Sequence, residues 1–145
     1  MDQISYKYSN LILTDRKFEV PLDYDNPDRQ KIVIFSREIS RKEYENKSTP
    51  YLIFFQGGPG YESPRPLTDS GWIKKASHHY KVLLLDQRGT GLSYPITEQS
   101  FSKITDENLA RHLTFFRADN IVKDAEFIRK KIIRNEKWSI LGQSF

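Results

Sequence analysis

Trp138-Ser139-Ile140-Leu141-Gly142-Gln143-Ser144-Phe145 is the stretch whose reading decides the fold. It is a short apolar run that delivers Gly-x-Ser. A glycine two positions beyond the serine would complete Gly-x-Ser-x-Gly, the sharp strand-to-helix turn that lifts a serine hydroxyl clear of a sheet edge. A bare Gly-x-Ser is common by chance, so the residues upstream must decide whether Ser144 is a nucleophile or a polar residue on a loop.

Two earlier runs carry the same signature. Tyr51-Leu52-Ile53-Phe54-Phe55 and Val82-Leu83-Leu84-Leu85 are apolar without alternation, too short for buried helices and suited to strands covered on both faces of a parallel sheet. The first ends at Gln56-Gly57-Gly58-Pro59-Gly60, the second at Asp86-Gln87-Arg88-Gly89-Thr90-Gly91-Leu92-Ser93. Between them, an amphipathic piece around Trp72 to Ala76 supplies a crossover. After them, Thr105 is an N-cap signal for a short helix with Asp106 and Glu107 in its first turn and Leu109, Leu113 and Phe116 on one face. Asp119 reads as the cap of a longer helix with the stripe Ile121, Ala125, Ile128 and Ile132. Trp138 to Leu141 then reads as a third buried strand.

Towards the N-terminus, Phe18, Val20 and Leu22 alternate with polar residues. Pro21 and Tyr24 to Asp28 mark a turn, and Lys31 to Ile39 reads as a second, antiparallel strand. Arg41 to Thr49 reads as a charged loop. Residues 1 to 16, with Leu11-Ile12-Leu13 as their apolar cluster, are read as an N-terminal extension to a unit spanning 17 to 145. The expected fold class is therefore α/β: an antiparallel hairpin followed by a parallel β-α-β-α-β unit.

Composition narrows the function. With 145 residues, 37% hydrophobic, 13% aromatic and 29% charged, and a mean hydropathy of -0.66, the chain suits one water-soluble globular domain. No apolar run approaches the roughly 20 residues of a membrane-spanning helix. The N-terminus lacks the apolar core of a secretory signal, so the expected compartment is the cytoplasm. The absence of cysteine excludes disulfides, thiolate metal sites and a cysteine nucleophile. The net charge of +4 invites a nucleic-acid reading. Against it, the basic residues interleave with 19 acids, and the dense group Lys123, Arg129, Lys130, Lys131, Arg134 and Lys137 falls mostly late in a helix, where cations complement the dipole. No nucleic-acid or membrane partner, cofactor or metal is expected.

All three special loops leave the carboxyl ends of strands, the edge where ligands bind in α/β sheets. Gly57-Gly58-Pro59-Gly60 is so poor in side chains that its backbone can aim N–H groups at an oxygen, as a developing oxyanion requires; otherwise it is a tight turn. The Asp86 loop has Gly-x-Gly, but Tyr94 stands where a third small residue is needed and an extended segment with Pro95 follows, which argues against a dinucleotide site. Asp86 and Arg88 read as braces of the loops around the serine; Asp86 as a functional acid is the alternative. His78, His79 and His112 show no metal spacing and read as surface or helix-end residues, and Trp72 and Trp138 as packing residues.

In order and spacing, Phe18-x-Val20-Pro21-Leu22-Asp23-Tyr24, Gln56-Gly57-Gly58-Pro59-Gly60, Asp86-Gln87-Arg88-Gly89-Thr90-Gly91-x-Ser93, Asp119-x-Ile121-x-x-Asp124-x-Glu126 and Gly142-Gln143-Ser144-Phe145 closely resemble the N-terminal half of prolyl aminopeptidases (proline iminopeptidases). These are serine peptidases of the α/β-hydrolase fold. The resemblance implies release of an N-terminal residue, typically proline, from a peptide with a free N-terminus through an acyl-enzyme. By position, Ser144 matches the nucleophile, and the oxyanion hole would be the N–H of Phe145 with one from Gly58. Gly57, Pro59, Gly60, Asp86 and Arg88 would support the loops. One departure is Gln56, where many members carry histidine. The family's triad acid and histidine, its cap domain and its amine-binding acids lie beyond the elbow. The expectation is therefore an N-terminal part with little activity alone, whose partner is the C-terminal part of the same enzyme or a second copy. The alternatives are a non-catalytic truncated or split product acting through partner binding, or a hydrolase of esters or longer peptides.

Overall fold

The computed structural model describes residues 2–144, apart from 46, 59, 67 and 102–104. Its strands are β1 (Asp2–Tyr8), β2 (Leu11–Pro21), β3 (Lys31–Arg41), β4 (Tyr51–Phe55), β5 (Lys81–Leu85) and β6 (Ser139–Gly142); its helices are α1 (Gly71–Ser77), α2 (Asp106–Leu113) and α3 (Ala118–Ile133). The strands form one six-stranded sheet in the order β1-β2-β3-β5-β4-β6. β1, β2 and β3 pair antiparallel, as do β3 and β5, while β4 is parallel to both β5 and β6. The hairpin and the parallel β-α-β-α-β unit expected from the sequence are both present, joined through the antiparallel pairing of β3 with β5, the unit's second strand.

The unalternating runs are buried on both faces, as their composition requires. Ile53, Leu83 and Leu85 face the side covered by α3, where they join Phe18, Val20, Leu22, Ile32, Ile34, Ala125 and Ile128. Leu52, Phe54, Val82 and Leu84 face the side covered by α1, where they join Leu11, Leu13, Ile39 and Ile73. Each fully buried Leu, Ile or Phe among them contributes about 1.5–3 kcal/mol relative to exposure. Trp72 lies 4.8 Å from the Phe54 ring and Trp138 packs on the α3-side core, so both tryptophans are packing residues.

Four expectations change. Residues 2–16 are not an appendage: β2 begins at Leu11, whose side chain with that of Leu13 enters the α1-side core, and β1 adds an outer strand in register from Asp2↔Lys17 to Tyr8↔Leu11. In β1, Ile4, Tyr6 and Tyr8 alternate with Gln3, Ser5 and Lys7, although all seven residues are exposed. Secondly, β6 is exposed throughout, with Ile140 at 69%. It is an edge strand, flanked only by β4 among the described residues. Thirdly, Asp119 is not a cap. The amides of Asn120 and Ile121 both donate to Arg117 O, so Arg117 is the cap and α3 starts two residues early, and Asp119 sits in its first turn, where its charge complements the dipole. Finally, Arg41, expected in a charged loop, is the buried last residue of β3. Its guanidinium donates to Asp69 and to Ser77 Oγ.

The α3 stripe holds: Ile121, Ala125 and Ile128 are buried, and Ile132 packs against the core. The α2 stripe is weaker. No α2 residue is buried, and Phe115 and Phe116, just past the helix, reach the core. Most of the late basic residues of α3 are engaged locally. Arg129 donates to Glu126 at 2.7 and 2.8 Å and caps the helix end through Arg134 O and Glu136 O. These hydrogen bonds, Arg129 first and then Lys130, hold the Glu126 carboxyl down at about 2.

Candidate active site

The register places the three loops at one sheet edge. Phe55 lies opposite Leu85 in β5 and opposite Gly142 in β6, so the segments beginning at Gln56, Asp86 and Gln143 leave side by side. The Gln143 amide extends the ladder by one bond, donating to Phe55 O at 3.2 Å. At the next residue the backbone turns sharply: Ser144 has φ +66°, a left-handed value that a non-glycine residue adopts only at a cost. Such strain is characteristic of the nucleophile elbow, and Ser144 is exposed there.

Gly57 makes the turn possible. A Cβ at this position would stand 2.6 Å from Ser144 Cβ and closer still to Gln143 O, so only a glycine lets the end of β4 pass the elbow this closely. Gly58 (φ +142°) and Gly60 (φ +114°) continue the loop in glycine-only conformations. The N–H groups of Gly57, Gly58 and Gly60 donate to no described residue. The structure thus brings Gly57 against Ser144 and leaves neighbouring amides unengaged, the inventory an oxyanion site needs. Pro59 and Phe145, the latter expected as the second oxyanion donor, lie outside the described residues.

Asp86 and Arg88, both expected as braces of the loops around the serine, enter two separate networks, and only that of Asp86 reaches the segment after the glycine loop. Asp86 is fully buried. Its carboxylate accepts from Ser63 N at 3.0 Å, from Leu92 N at 2.9 Å and from Arg65 Nη2. Gly91 packs on it so tightly that a Cβ would overlap Oδ2. Arg88, also buried, points away towards α3. Its Nε and Nη2 donate to Asp124 at 2.7 and 2.6 Å, and its remaining N–H groups reach Pro21 O, Leu22 O and Phe115 O. Tyr24 donates its hydroxyl to the same carboxylate at 2.9 Å. Burial pushes the Asp124 carboxyl up, with the hydrogen bonds and charge of Arg88 and the Tyr24 hydroxyl opposing. Burial first, and then the Asp124 charge, raise the Tyr24 phenol far above its usual range.

Sequence reading passed over Ser63, Arg65 and Asp124 as site supports. Asp124 had a signal: it falls on the apolar stripe of α3, between Ile121 and Ala125, where a carboxylate must find a partner. Arg65 had none, since it stands in a proline-rich loop without periodicity. The histidines lie where surface residues would: His78 ends α1 near Glu43, His79 is exposed, and His112 packs against Phe115 and Phe116. Among the described residues no cluster of three or more His, Cys, Asp or Glu could hold a metal ion, and no helix is long and apolar enough to cross a membrane.

No model of a known protein family matches the chain. It is 46% identical over 129 residues to the proline iminopeptidase of Aeromonas sobria, a match covering 88% of this chain and 30% of that enzyme. It is also 37% identical over 137 residues to the proline iminopeptidase aneH of Aspergillus aculeatus, covering 89% of this chain and 30% of the relative. The chain therefore spans about a third of the length of these relatives. A solved cold-adapted esterase from an Arctic intertidal metagenomic library superposes with a TM-score of 0.53 at 11% identity, over 98% of this chain and 55% of the esterase. At that identity the match speaks to the fold. Over nearly its whole length the chain is similar in sequence to proline iminopeptidases, and its sheet fits the N-terminal portion of an α/β-hydrolase fold.

Proposed function

We propose that the chain carries the nucleophile and oxyanion loop of a serine aminopeptidase of the prolyl aminopeptidase type. In this reading Ser144 Oγ attacks the carbonyl carbon of a peptide's N-terminal residue, typically proline, and its proton passes to a base. The negative charge gathers on the carbonyl oxygen, where Gly58 N–H and Phe145 N–H receive it. Collapse of the tetrahedral intermediate expels the shortened peptide, whose new amine takes up the proton. Water then hydrolyses the acyl ester. Already-aimed amides favour this charge because they need no reorganisation as it appears.

The observation that carries the reading is the strained Ser144 backbone, φ +66°, lodged against Gly57. Serine needs an adjacent base to become a nucleophile at neutral pH, and among the described residues Ser144 Oγ has no hydrogen-bond partner. The base is accordingly assigned to a segment outside residues 1–145, and the chain alone is expected to have little activity.

The test joins residues 1–145 to the part of the Aeromonas sobria enzyme that follows its matched segment. The expected result is hydrolysis of proline p-nitroanilide, abolished by Ser144→Ala. A folded fusion that hydrolyses only p-nitrophenyl esters would move the assignment to an esterase, and a folded fusion inert to both would refute a catalytic role.

A further inference from the structure

The glycine loop is fixed at its two ends and hardly at all between them. Among the described residues from Gly57 to Glu62, which leave out Pro59, no backbone N–H or carbonyl bonds to another described backbone group. At the near end, Gln87 Nε2 donates to Gln56 O at 3.0 Å. At the far end, Ser63 is buried and triply held: its N–H donates to Asp86, its Oγ donates to Leu85 O at 2.6 Å, and its carbonyl accepts from Arg65 Nη1 at 2.7 Å. Arg65 is the hub of this far anchor. Its other terminal nitrogen binds the Asp86 carboxylate, which itself holds Ser63 N and Leu92 N. Its guanidinium also lies 4.9 Å over the Phe35 ring of β3. One planar fork thus ties the loop backbone, the end of β5 and β3 together. A lysine, with a single point charge, does not span that geometry.

We propose that Arg65 is a positioning residue. By clamping Ser63 to Asp86, it sets the path of the glycine loop and so the aim of the Gly58 N–H beside Ser144. This assignment rests on the oxyanion reading above for its purpose, but the clamp is measurable without any reaction. Arg65 has 22% of its side chain exposed and stands outside both apolar cores, so its removal is a local change.

The experiment compares backbone ¹⁵N relaxation in the 145-residue chain and its Arg65→Ala, Arg65→Lys and Asp86→Asn variants. In Arg65→Ala the order parameters of the Gly58 and Gly60 amides are expected to fall below about 0.6 and below their values in the unaltered chain, while β4 and β5 amides stay near the rigid value of about 0.85. Arg65→Lys, which retains the charge but loses the fork, should fall between. Asp86→Asn, which retains an acceptor for Ser63 but weakens the hold on Arg65, should loosen the same two amides. Unchanged Gly58 and Gly60 in Arg65→Ala would overturn the proposal. So would a loss of order shared equally by β4 and β5, which would make Arg65 a general stabiliser. No substrate is present, so a failure of the Ser144 assignment shows in labelling and assay and not in this measurement.

Discussion

Gly57 and Ser144 occupy one another's space: the elbow serine stands where a side chain at residue 57 would be, with only 2.6 Å between Ser144 Cβ and a Cβ built on Gly57. The end of β4 and the end of β6 are thereby locked at the point where chemistry is proposed. Gly57→Ala must push the elbow or the loop aside. A displacement near 1 Å in a catalytic array costs about 100-fold in rate. The proline p-nitroanilidase activity of the fusion enzyme should therefore fall by about that factor in Gly57→Ala, with its thermal midpoint moving far less.

The Arg88–Asp124 pair predicts a stability effect of a different kind. Both side chains are buried and hydrogen-bonded in a fork, so removing one strands a charge. Arg88→Met should cost about 3–5 kcal/mol in urea denaturation, and the double variant Arg88→Met with Asp124→Leu should recover much of that loss. Additive losses would show that the pair is not coupled as the geometry requires.

Core and edge should respond unequally to truncation. Leu83 is fully buried between α3 and the sheet, whereas Ile140 on β6 is 69% exposed. In the 145-residue chain Leu83→Ala should destabilise by about 2–5 kcal/mol, and Ile140→Ala by no more than about 0.5 kcal/mol, both measured by chemical denaturation.

Why the sequence foretold one strand and misjudged the other follows from the same contrast. Tyr51–Phe55 and Lys81–Leu85 bury both faces, so nearly every position is apolar and the reading is secure. Ser139–Gly142 shares with them the unalternating pair Ile140-Leu141, but burial depends on neighbours, and only β4 flanks it among the described residues. β1 escaped notice although Ile4, Tyr6 and Tyr8 alternate with polar residues: the run is short and all seven of its residues are exposed. At the site, the glycines and Ser144 were legible because backbone conformation restricts which residues fit. Arg65 was not, since its role arises only when the loop folds back over Asp86.

The partly exposed Glu126–Arg129 pair gives a pH prediction. Arg129 hydrogen bonds lower the Glu126 carboxyl from 4.5 to about 2, so the folded state holds this proton more weakly than the unfolded state. The associated stabilisation is present above pH 4.5 and fades as pH falls through about 2; exposure keeps it small. An NMR titration of the Glu126 side chain should show a midpoint near 2, returning towards 4.5 in Arg129→Ala. A midpoint near 4.5 in the unaltered chain would show that the pair does not form in solution.

The assignment of Ser144 as nucleophile is tested most directly by covalent labelling. The fusion enzyme is treated with a fluorophosphonate, digested and mapped by mass spectrometry. The account predicts a single adduct on the peptide containing Ser144, absent in Ser144→Ala. A folded, unlabelled Ser144, or an adduct on another residue, would contradict it.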